Sequence, residues 1–246
     1  MSNFTTTVRG SALIAAVAAV GLVVIPTDAA TITVGAADSV MTVDAAFAGG
    51  GVTGTGDFID GPFADPTAGN QPALNAGRFQ GRVQRPVMTF ELPTLGVNEV
   101  IIGADFRFST SSQRNPAPQF GADLEAIGVR SNGAIQIADY QATGTLIEDD
   151  LLEPGINSFS NFTLDTTGEA ALLSYVTTNY AAGEFLFLRF TPDLQDPPEN
   201  TRYTIFGDES GAFPRLILET EIIPEPATFG TAMLGLLGLA ARRRRS

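Results

Sequence analysis

Three aspartates within nine residues are the side chains of this chain that most resemble a metal site. Asp57, Asp60 and Asp65 stand among glycines and prolines in the stretch GDFIDGPFADPTAGN. Carboxylates and backbone carbonyls are the ligands that Ca²⁺ prefers, at about six to eight oxygens per ion. The spacing is not that of an EF-hand, and an acidic surface loop is the simpler interpretation. The stretch therefore predicts either a calcium site or a solvated loop, and no other cofactor is expected.

The residue types that are absent narrow the chemistry further. The chain has no His, Cys, Trp or Lys, so all of its 14 cationic side chains are arginines. This excludes Ser-His-Asp and Cys-His catalysis, Schiff-base lysines, and zinc bound by His or Cys. Carboxylate chemistry, hydroxyl chemistry and oxygen-bound metals remain. A pair of carboxylates could hydrolyse a glycoside, but the sequence singles out no pair among its 27 acids.

The chain is strongly acidic, with a formal net charge of −13 at pH 7. Such a surface repels phosphate backbones, so we expect no nucleic-acid partner. The same surface suits an exported protein and attracts divalent cations.

The first 30 residues have the features of a secretory signal peptide. Arg9 precedes the apolar stretch SALIAAVAAVGLVVI, which ends at Pro26. Small residues follow and predict cleavage after Ala29 or Ala30. We therefore expect a signal helix within residues 1–30 and export of the rest of the chain.

The last segment combines a Pro-Glu-Pro motif, a short apolar run and a cluster of arginines. Its members are Pro224, Glu225 and Pro226, the apolar residues 229–241, and Arg242, Arg243, Arg244 and Arg245. The apolar run is shorter than the roughly 20 residues of a comfortable bilayer span. Because arginines favour the cytoplasmic side of a membrane, we expect a short apolar helix that holds the chain in the inner membrane transiently.

This segment, residues 223–246, resembles the PEP-CTERM sorting signal of exported bacterial proteins. The resemblance implies export machinery and an exosortase as partners, the latter a membrane enzyme of Gram-negative bacteria that make extracellular polysaccharide. It also implies that Pro224, Glu225 and Pro226 are the recognition residues. The implied destination is the cell envelope surface or the extracellular space.

Between these end segments, residues 31–222 are predicted to form one antiparallel β domain. Four stretches have the apolar patterns of strands, namely PVMTFEL, VIIGADFRFS, EFLFLRF and PRLILETEI. Alternation in VIIGADFRFS predicts that Ile102 and Phe106 share the buried face. Asn132-Gly133 predicts a hairpin turn. Frequent turn signals favour a sandwich over alternating βα units.

One short helix is predicted to begin near Thr166. Thr166 followed by Glu169 matches a capping box, and the stretch EAALLSYVTTNY supplies the apolar positions of a helix. We expect this helix to cover one end of the sandwich.

The order of the segments resembles the DNRLRE-type β-sandwich of secreted bacterial proteins, which is related to carbohydrate-binding jelly rolls. The matching pieces are ADSVM, RPVMTFELPTLGVNEVIIGADFRF, FTLDTTGEAALLSYV, GEFLFLRF and FGDESGAFPRLILETEI. The tryptophans common in that family are absent from this chain. The resemblance implies an all-β, antiparallel jelly-roll-type sandwich with one short helix, and it carries over no binding residue.

Together these features predict an exported, non-catalytic protein of the cell envelope or extracellular matrix, structural or adhesive in an exopolysaccharide context. Two alternatives stay open. One is a carbohydrate-binding module, for which the four tyrosines are the only rings with a polar group. The other is a carboxylate-based enzyme acting on polysaccharide. A concave face lined with Tyr and Arg would favour the first alternative, and a cleft holding two buried carboxylates the second.

Overall fold

A computed structural model describes residues 29–45, 52–65, 70–111, 117–156, 158–207 and 214–223. In these residues, 13 strands join into one sheet, every strand pair is antiparallel, and one α-helix is present. The prediction of an all-β fold with one helix is therefore confirmed at that level. The predicted signal helix and the apolar helix at 229–241 lie outside the described residues.

Strands make up most of the described chain. In chain order they are β1 (Ala30–Gly35), β2 (Asp38–Ala45), β3 (Phe58–Asp60), β4 (Phe63–Asp65), β5 (Gln71–Phe79), β6 (Arg82–Glu91), β7 (Glu99–Thr110), β8 (Ala122–Arg130), β9 (Thr145–Leu152), β10 (Ser160–Thr163), β11 (Phe185–Pro192), β12 (Arg202–Phe206) and β13 (Arg215–Ile222). A 3₁₀ turn between β8 and β9 spans Ile137–Tyr140, and the helix α1 between β10 and β11 spans Thr166–Asn179.

The hydrogen-bonded order of the strands runs β1-β13-β7-β12-β5-β6-β11-β8-β9. In addition, β2 pairs with β3 and β6, β4 pairs with β5, and β10 pairs with β7. The apolar stretch EFLFLRF becomes β11, which lies between β6 and β8 and is buried on both faces, as its continuous apolar pattern predicts.

The sheet curves round so that its two halves share one core. The ring of Phe106 on β7 lies 5.8 Å from Phe90 on β6 and 6.1 Å from Phe190 on β11, between ring centroids. The strands that β7 pairs with are β13, β12 and β10. Strand β7 therefore contacts β6 and β11 through side chains and not through backbone pairing. The helix α1 closes the same core with Leu172 and Val176, which are fully buried. Burying each such side chain stabilises the fold by roughly 1.5–3 kcal/mol.

The strand prediction for residues 100–109 is right in its bounds and wrong at one position. Phe106 is fully buried as predicted, but Ile102 is 42% exposed. The register of β7 on β13 passes from Gly103 directly to Ile101. This extra residue is a β-bulge, which reverses the alternation and leaves Ile102 facing outward.

The helix begins where predicted but has a different cap. Asp165 is the N-cap residue, and its Oδ1 accepts hydrogen bonds from the N–H groups of Thr167 and Gly168 at 2.8 and 2.7 Å. A carboxylate at this position also lies at the positive end of the helix dipole. Asp165, rather than Thr166, therefore caps α1.

The hairpin predicted at Asn132-Gly133 is wrong. β8 ends at Arg130 and its antiparallel partner β9 starts only at Thr145. The segment between them crosses a face of the sheet and buries Asp139 and Tyr140. Anchoring of these side chains therefore outweighs the local preference of Asn-Gly for a tight turn.

The first and last strands meet at one end of the sheet. The Ile223 N–H donates to the carbonyl of Asn98 (2.8 Å) in the loop at residues 92–98, which joins β6 to β7. Ala30, the first residue of β1, pairs with Thr220 near the end of β13. We call this region, formed by residues 29–30, 92–98 and 222–223, the exit end.

Strand β11 gives the distance to the opposite end. The Leu92 N–H donates to the carbonyl of Glu184 (2.8 Å), which ties the start of β11 to the loop at the exit end. β11 has eight residues. At a rise of about 3.3 Å per residue, Pro192 lies roughly 25 Å from the exit end.

Candidate functional site

The three aspartates singled out by the sequence lie in or beside two short strands. Asp57 Oδ2 accepts a hydrogen bond from the last N–H of β2 at 2.8 Å. Asp60 in β3 lies 3.6 Å from Arg82 Nη1, between Oδ2 and the nitrogen. Asp65 in β4 is buried, and its carboxylate accepts a hydrogen bond from the hydroxyl of Ser111. The three carboxylates thus engage three different parts of the protein.

Calcium binding at Asp57, Asp60 and Asp65 stays a prediction. It is checked by thermal melting in chelator and in millimolar Ca²⁺, for the unmutated chain and for the Asp57→Asn plus Asp60→Asn variant. A ligand that binds only the folded state raises the melting temperature by mass action.

The structure gathers a different set of carboxylates at the end opposite the exit end. Oxygens from Asp123, Asp150 and Asp193 all lie within 4.8 Å of one another. Asp123 is near the start of β8, Asp150 is near the end of β9, and Asp193 follows β11 directly. Because β8 pairs antiparallel with both β9 and β11, these three positions converge. We call this region the acidic end.

Backbone N–H groups hold two of the three carboxylates. The Asp150 N–H donates to Asp123 Oδ1 at 3.0 Å, and the Gly121 N–H donates to Asp193 Oδ2 at 2.8 Å. A Cβ at position 121 would collide with Asp150 Oδ1. Glycine at 121 therefore leaves the space into which the Asp150 side chain extends.

The electrostatics of the acidic end disfavour full ionisation. Desolvation raises the pKa of Asp123 to about 6, and the charges of Asp193 and Asp149 act in the same direction. Desolvation and the nearby Asp193 also raise the pKa of Asp150. Three convergent carboxylates of this kind have the donor chemistry for a shared proton or for a hard divalent cation.

A second polar cluster lies between the sheet and the segment at residues 131–144, and we call it the ionic layer. It consists of Arg85, Glu125, Arg130, Asp139 and Arg189, together with the carbonyl of Tyr140. Arg130 binds the Asp139 carboxylate through two nitrogens, at 3.0 and 2.6 Å. Arg189 is only 3% exposed, and it pairs with Glu125 and donates to the Asp139 carbonyl at 2.6 Å. These bonds fix the segment onto the sheet.

The four tyrosines do not share a binding face. Tyr140 and Tyr203 are fully buried, and Tyr203 O–H donates to the carbonyl of Glu153 at 3.0 Å. Tyr180 lies at the exit end, where its O–H donates to the carbonyl of Pro93 at 2.5 Å. Tyr175 is half-buried on α1. The four tyrosines therefore do not line one face, which is the arrangement that would favour the carbohydrate-binding alternative.

An open groove of about 420 Å³ crosses β13, β7 and β10. It is lined by Arg107, Phe108, Ser109, Asn161, Phe162, Thr163 and Arg215. The half-buried ring of Phe162 stacks on Phe108, with centroids 5.1 Å apart. The groove thus places cationic and amide donors beside an aromatic ring. No pattern in the sequence pointed to it, since its residues come from three separate strands.

Comparison with protein families bears on the tail of the chain. Residues 223–245 match the PEP-CTERM protein-sorting motif. The motif indicates an exported protein that is processed by an exosortase-type enzyme and directed to the cell envelope. No curated protein matches the chain. The DNRLRE-type resemblance of residues 31–222 therefore finds no support from homologues.

The sorting residues lie outside the described part of the chain. They are Pro224, Glu225 and Pro226 with Arg242, Arg243, Arg244 and Arg245. The described chain ends at Ile223, so it leads directly into the motif. Among the residues that the structure describes, no helix has the length and apolar character needed to cross a membrane.

Proposed function

We propose that this protein is a non-catalytic structural or adhesive protein of the cell envelope or extracellular matrix, acting beside exopolysaccharide. The observation that carries the proposal is the position of the sorting motif. The match starts at residue 223, one residue after β13 ends at Ile222. The β domain is therefore the part that the signal delivers, and the export machinery and the exosortase are its partners on the way.

The packing supports a jelly-roll-type sandwich as the form of this domain. Rings on β7 meet rings on β6 and β11 across the core, as they do when two faces of a sheet oppose each other. The ionic layer and α1 cover further parts of the sheet. A domain of this kind suits a structural role, because the charged side chains of its ionic layer hold its own segments together.

The route is tested by intact mass and cell fractionation in a host that has an exosortase system. The mature protein is expected to start after Ala29 or Ala30, to lack residues 242–245 and to leave the inner membrane. A Glu225→Gln variant is expected to retain its tail and stay in the inner-membrane fraction through residues 229–241. A mature unmutated protein that keeps Met1 or the terminal arginines would contradict the proposal.

A carbohydrate-binding module is the second candidate, and the groove across β13, β7 and β10 favours it. Binding to a glycan array, with and without Ca²⁺, would identify a ligand. The Phe162→Ala and Arg107→Ala variants are expected to lose it. Phe159→Ala is the matched control, because Phe159 is 57% exposed but does not line the groove. Equal binding by all variants would exclude the groove.

A further inference from the structure

The exit end leaves no linker between the folded domain and the sorting motif. Ile223 is still hydrogen-bonded to Asn98, and Pro224 is the next residue. An extended chain spans at most about 3.6 Å per residue, so residues 224–226 reach no further than roughly 11 Å from this bond. An enzyme that binds the motif must therefore also contact the loop at residues 92–98.

This loop and the chain next to it present apolar side chains to solvent. Val97 is 84% exposed, Ile223 is 53% exposed and Ile222 is 49% exposed. Single exposed apolar residues are ordinary on protein surfaces, whereas these three belong to one end of the sheet. Beside them lies an open groove of about 450 Å³, whose lining includes Leu95 and Tyr180.

The loop has a fixed shape, because its backbone groups are bonded to the domain. The Gly96 N–H donates to Glu99 Oε2 at 2.6 Å, and the Leu95 N–H donates to Tyr180 Oη at 3.3 Å. The Glu99 N–H in turn donates to the Gly96 carbonyl at 3.2 Å. A surface that is already formed loses little conformational entropy when a partner binds it.

We propose that this surface, formed by Leu95, Val97, Ile222 and Ile223 with the adjoining groove, is where the exosortase-type enzyme docks on its substrate. The inference rests on the proposed function, since it requires that enzyme to process the tail. The partner's complementary surface is apolar and lies on the outer side of the membrane. Direct contact with an anionic bilayer is disfavoured, because Glu99 and Glu221 flank the surface and repel anionic headgroups.

The test measures how fast the full chain loses its tail in a host with an exosortase system, by pulse-chase labelling. The Val97→Asp variant is expected to slow tail removal about tenfold, because it places a charge in the apolar contact. Phe159→Asp is the matched control, because Phe159 is 57% exposed and precedes β10 beside the last residue of β7, away from the exit end. It is expected to be processed at the rate of the unmutated chain. The melting temperature of Val97→Asp is expected to be unchanged.

A second arm separates docking from other effects. Eight Gly/Ser residues inserted between Ile223 and Pro224 would let the enzyme reach the motif without touching the loop. In that background, chains with Val97 or with the Val97→Asp change are expected to be processed equally fast. If the unmutated chain and the Val97→Asp variant lost their tails at equal rates without the insertion, the docking inference would be overturned. Slowing that persists with the insertion would overturn it as well, in favour of bilayer contact. If neither the unmutated chain nor Glu225→Gln lost its tail, the proposed function itself would fail.

Discussion

The pKa values of carboxylates are shifted in opposite directions at the two ends of the sheet. At the exit end, hydrogen bonds from the Thr220 hydroxyl and the Gly96 N–H lower the pKa of Glu99. At the acidic end, desolvation raises the pKa of Asp123 to about 6, and the charge of Asp193 adds to the shift. Both carboxylates sit on the same sheet, Glu99 at the exit end and Asp123 at the acidic end. Both carboxylates accept hydrogen bonds, so the direction depends on balance: at Asp123, desolvation and the neighbouring carboxylates outweigh the single donor, the Asp150 N–H.

The two ends of the strands therefore differ in how much an ionised carboxylate costs the stability of the fold. The carboxylate at the exit end has protein donors, so it keeps its charge at no cost to the fold. The acidic end keeps negative charges together at some cost in stability. Because the sorting tail leaves from the exit end, the proposed tethering to the membrane would point the acidic end away from the bilayer.

The largest effect on stability is expected from the ionic layer, which lies at neither end. The Arg189→Met change removes a cation that is 3% exposed. It leaves Glu125 without its charged partner and the Asp139 carbonyl without its donor, while the Tyr140 carbonyl keeps only Arg85. Breaking a buried pair in this way costs about 3–5 kcal/mol of unfolding free energy. Urea denaturation provides the measurement.

The control for this change is Arg107→Met. Arg107 pairs with Asp105, but its side chain is 61% exposed. Exposed pairs contribute about 0–1 kcal/mol, so this variant should denature close to the unmutated midpoint. Similar losses of unfolding free energy for both variants would show that the burial of Arg189 does not increase its contribution to stability.

The tyrosines give the next largest effect and compare the two ends directly. Tyr203 O–H donates to the carbonyls of Phe120 and Glu153 in the buried layer below the acidic end. Tyr203→Phe removes this buried hydroxyl donor and leaves the Glu153 carbonyl with only a longer bond from the Ile156 N–H (3.4 Å), which should cost about 1–3 kcal/mol. Tyr180→Phe at the half-exposed exit end should cost less than about 1 kcal/mol, because water can replace its hydrogen bonds. If denaturant unfolding showed equal losses of free energy for Tyr203→Phe and Tyr180→Phe, the two ends would not differ in this respect.

The sequence predicts the central strands well where they are rich in apolar residues. The continuous apolar run of β11 marks a central strand, and Met88 and Phe90 of β6 are buried as predicted, although Val87 and Thr89 on the other face are buried too. The bulge that turns Ile102 outward leaves no trace in composition. A single skipped residue changes which face every later side chain occupies, and only the partner strand reveals it.

The sequence does not predict the acidic end. Asp123 and Asp150 are 27 residues apart, and Asp193 belongs to a third strand. Pairing of β8 with its two neighbours brings them together, and no local pattern encodes that pairing. The aspartates at 57, 60 and 65 are close in sequence, yet the short strands β3 and β4 give each a separate partner. Proximity in sequence therefore says little about convergence in a sheet.

The pH dependence of stability should reveal the strain at the acidic end. Asp123 has a raised pKa in the folded state, so the folded protein holds this proton more tightly than the unfolded chain. Its unfavourable contribution is absent below the ordinary Asp pKa of about 4 and grows as the pH rises to about 6. Allowing for solvent screening, we expect a loss of about 1 kcal/mol across this range.

The Asp123→Asn variant should lack this loss and be the more stable protein at pH 7. Chemical denaturation at pH 4, 5, 6 and 7 provides the measurement. Asp60→Asn, which lies outside the cluster, should keep the pH profile of the unmutated chain. A profile for Asp123→Asn that still falls between pH 4 and 6 would mean that other groups set the slope.

The smallest effect is expected at the exit end, and its sign should be opposite. Glu99 has a lowered pKa, so its contribution to stability is present above the ordinary carboxyl pKa and is lost as the pH falls through the folded-state value. Glu99→Gln should therefore lower the melting temperature at pH 7, and its difference from the unmutated chain should shrink as the pH falls. Thr220→Val removes the main donor to Glu99, so the double variant should lose little more than Glu99→Gln alone. Melting curves that show Glu99→Gln and Asp123→Asn shifting stability in the same direction at pH 7 would contradict the opposition between the two ends.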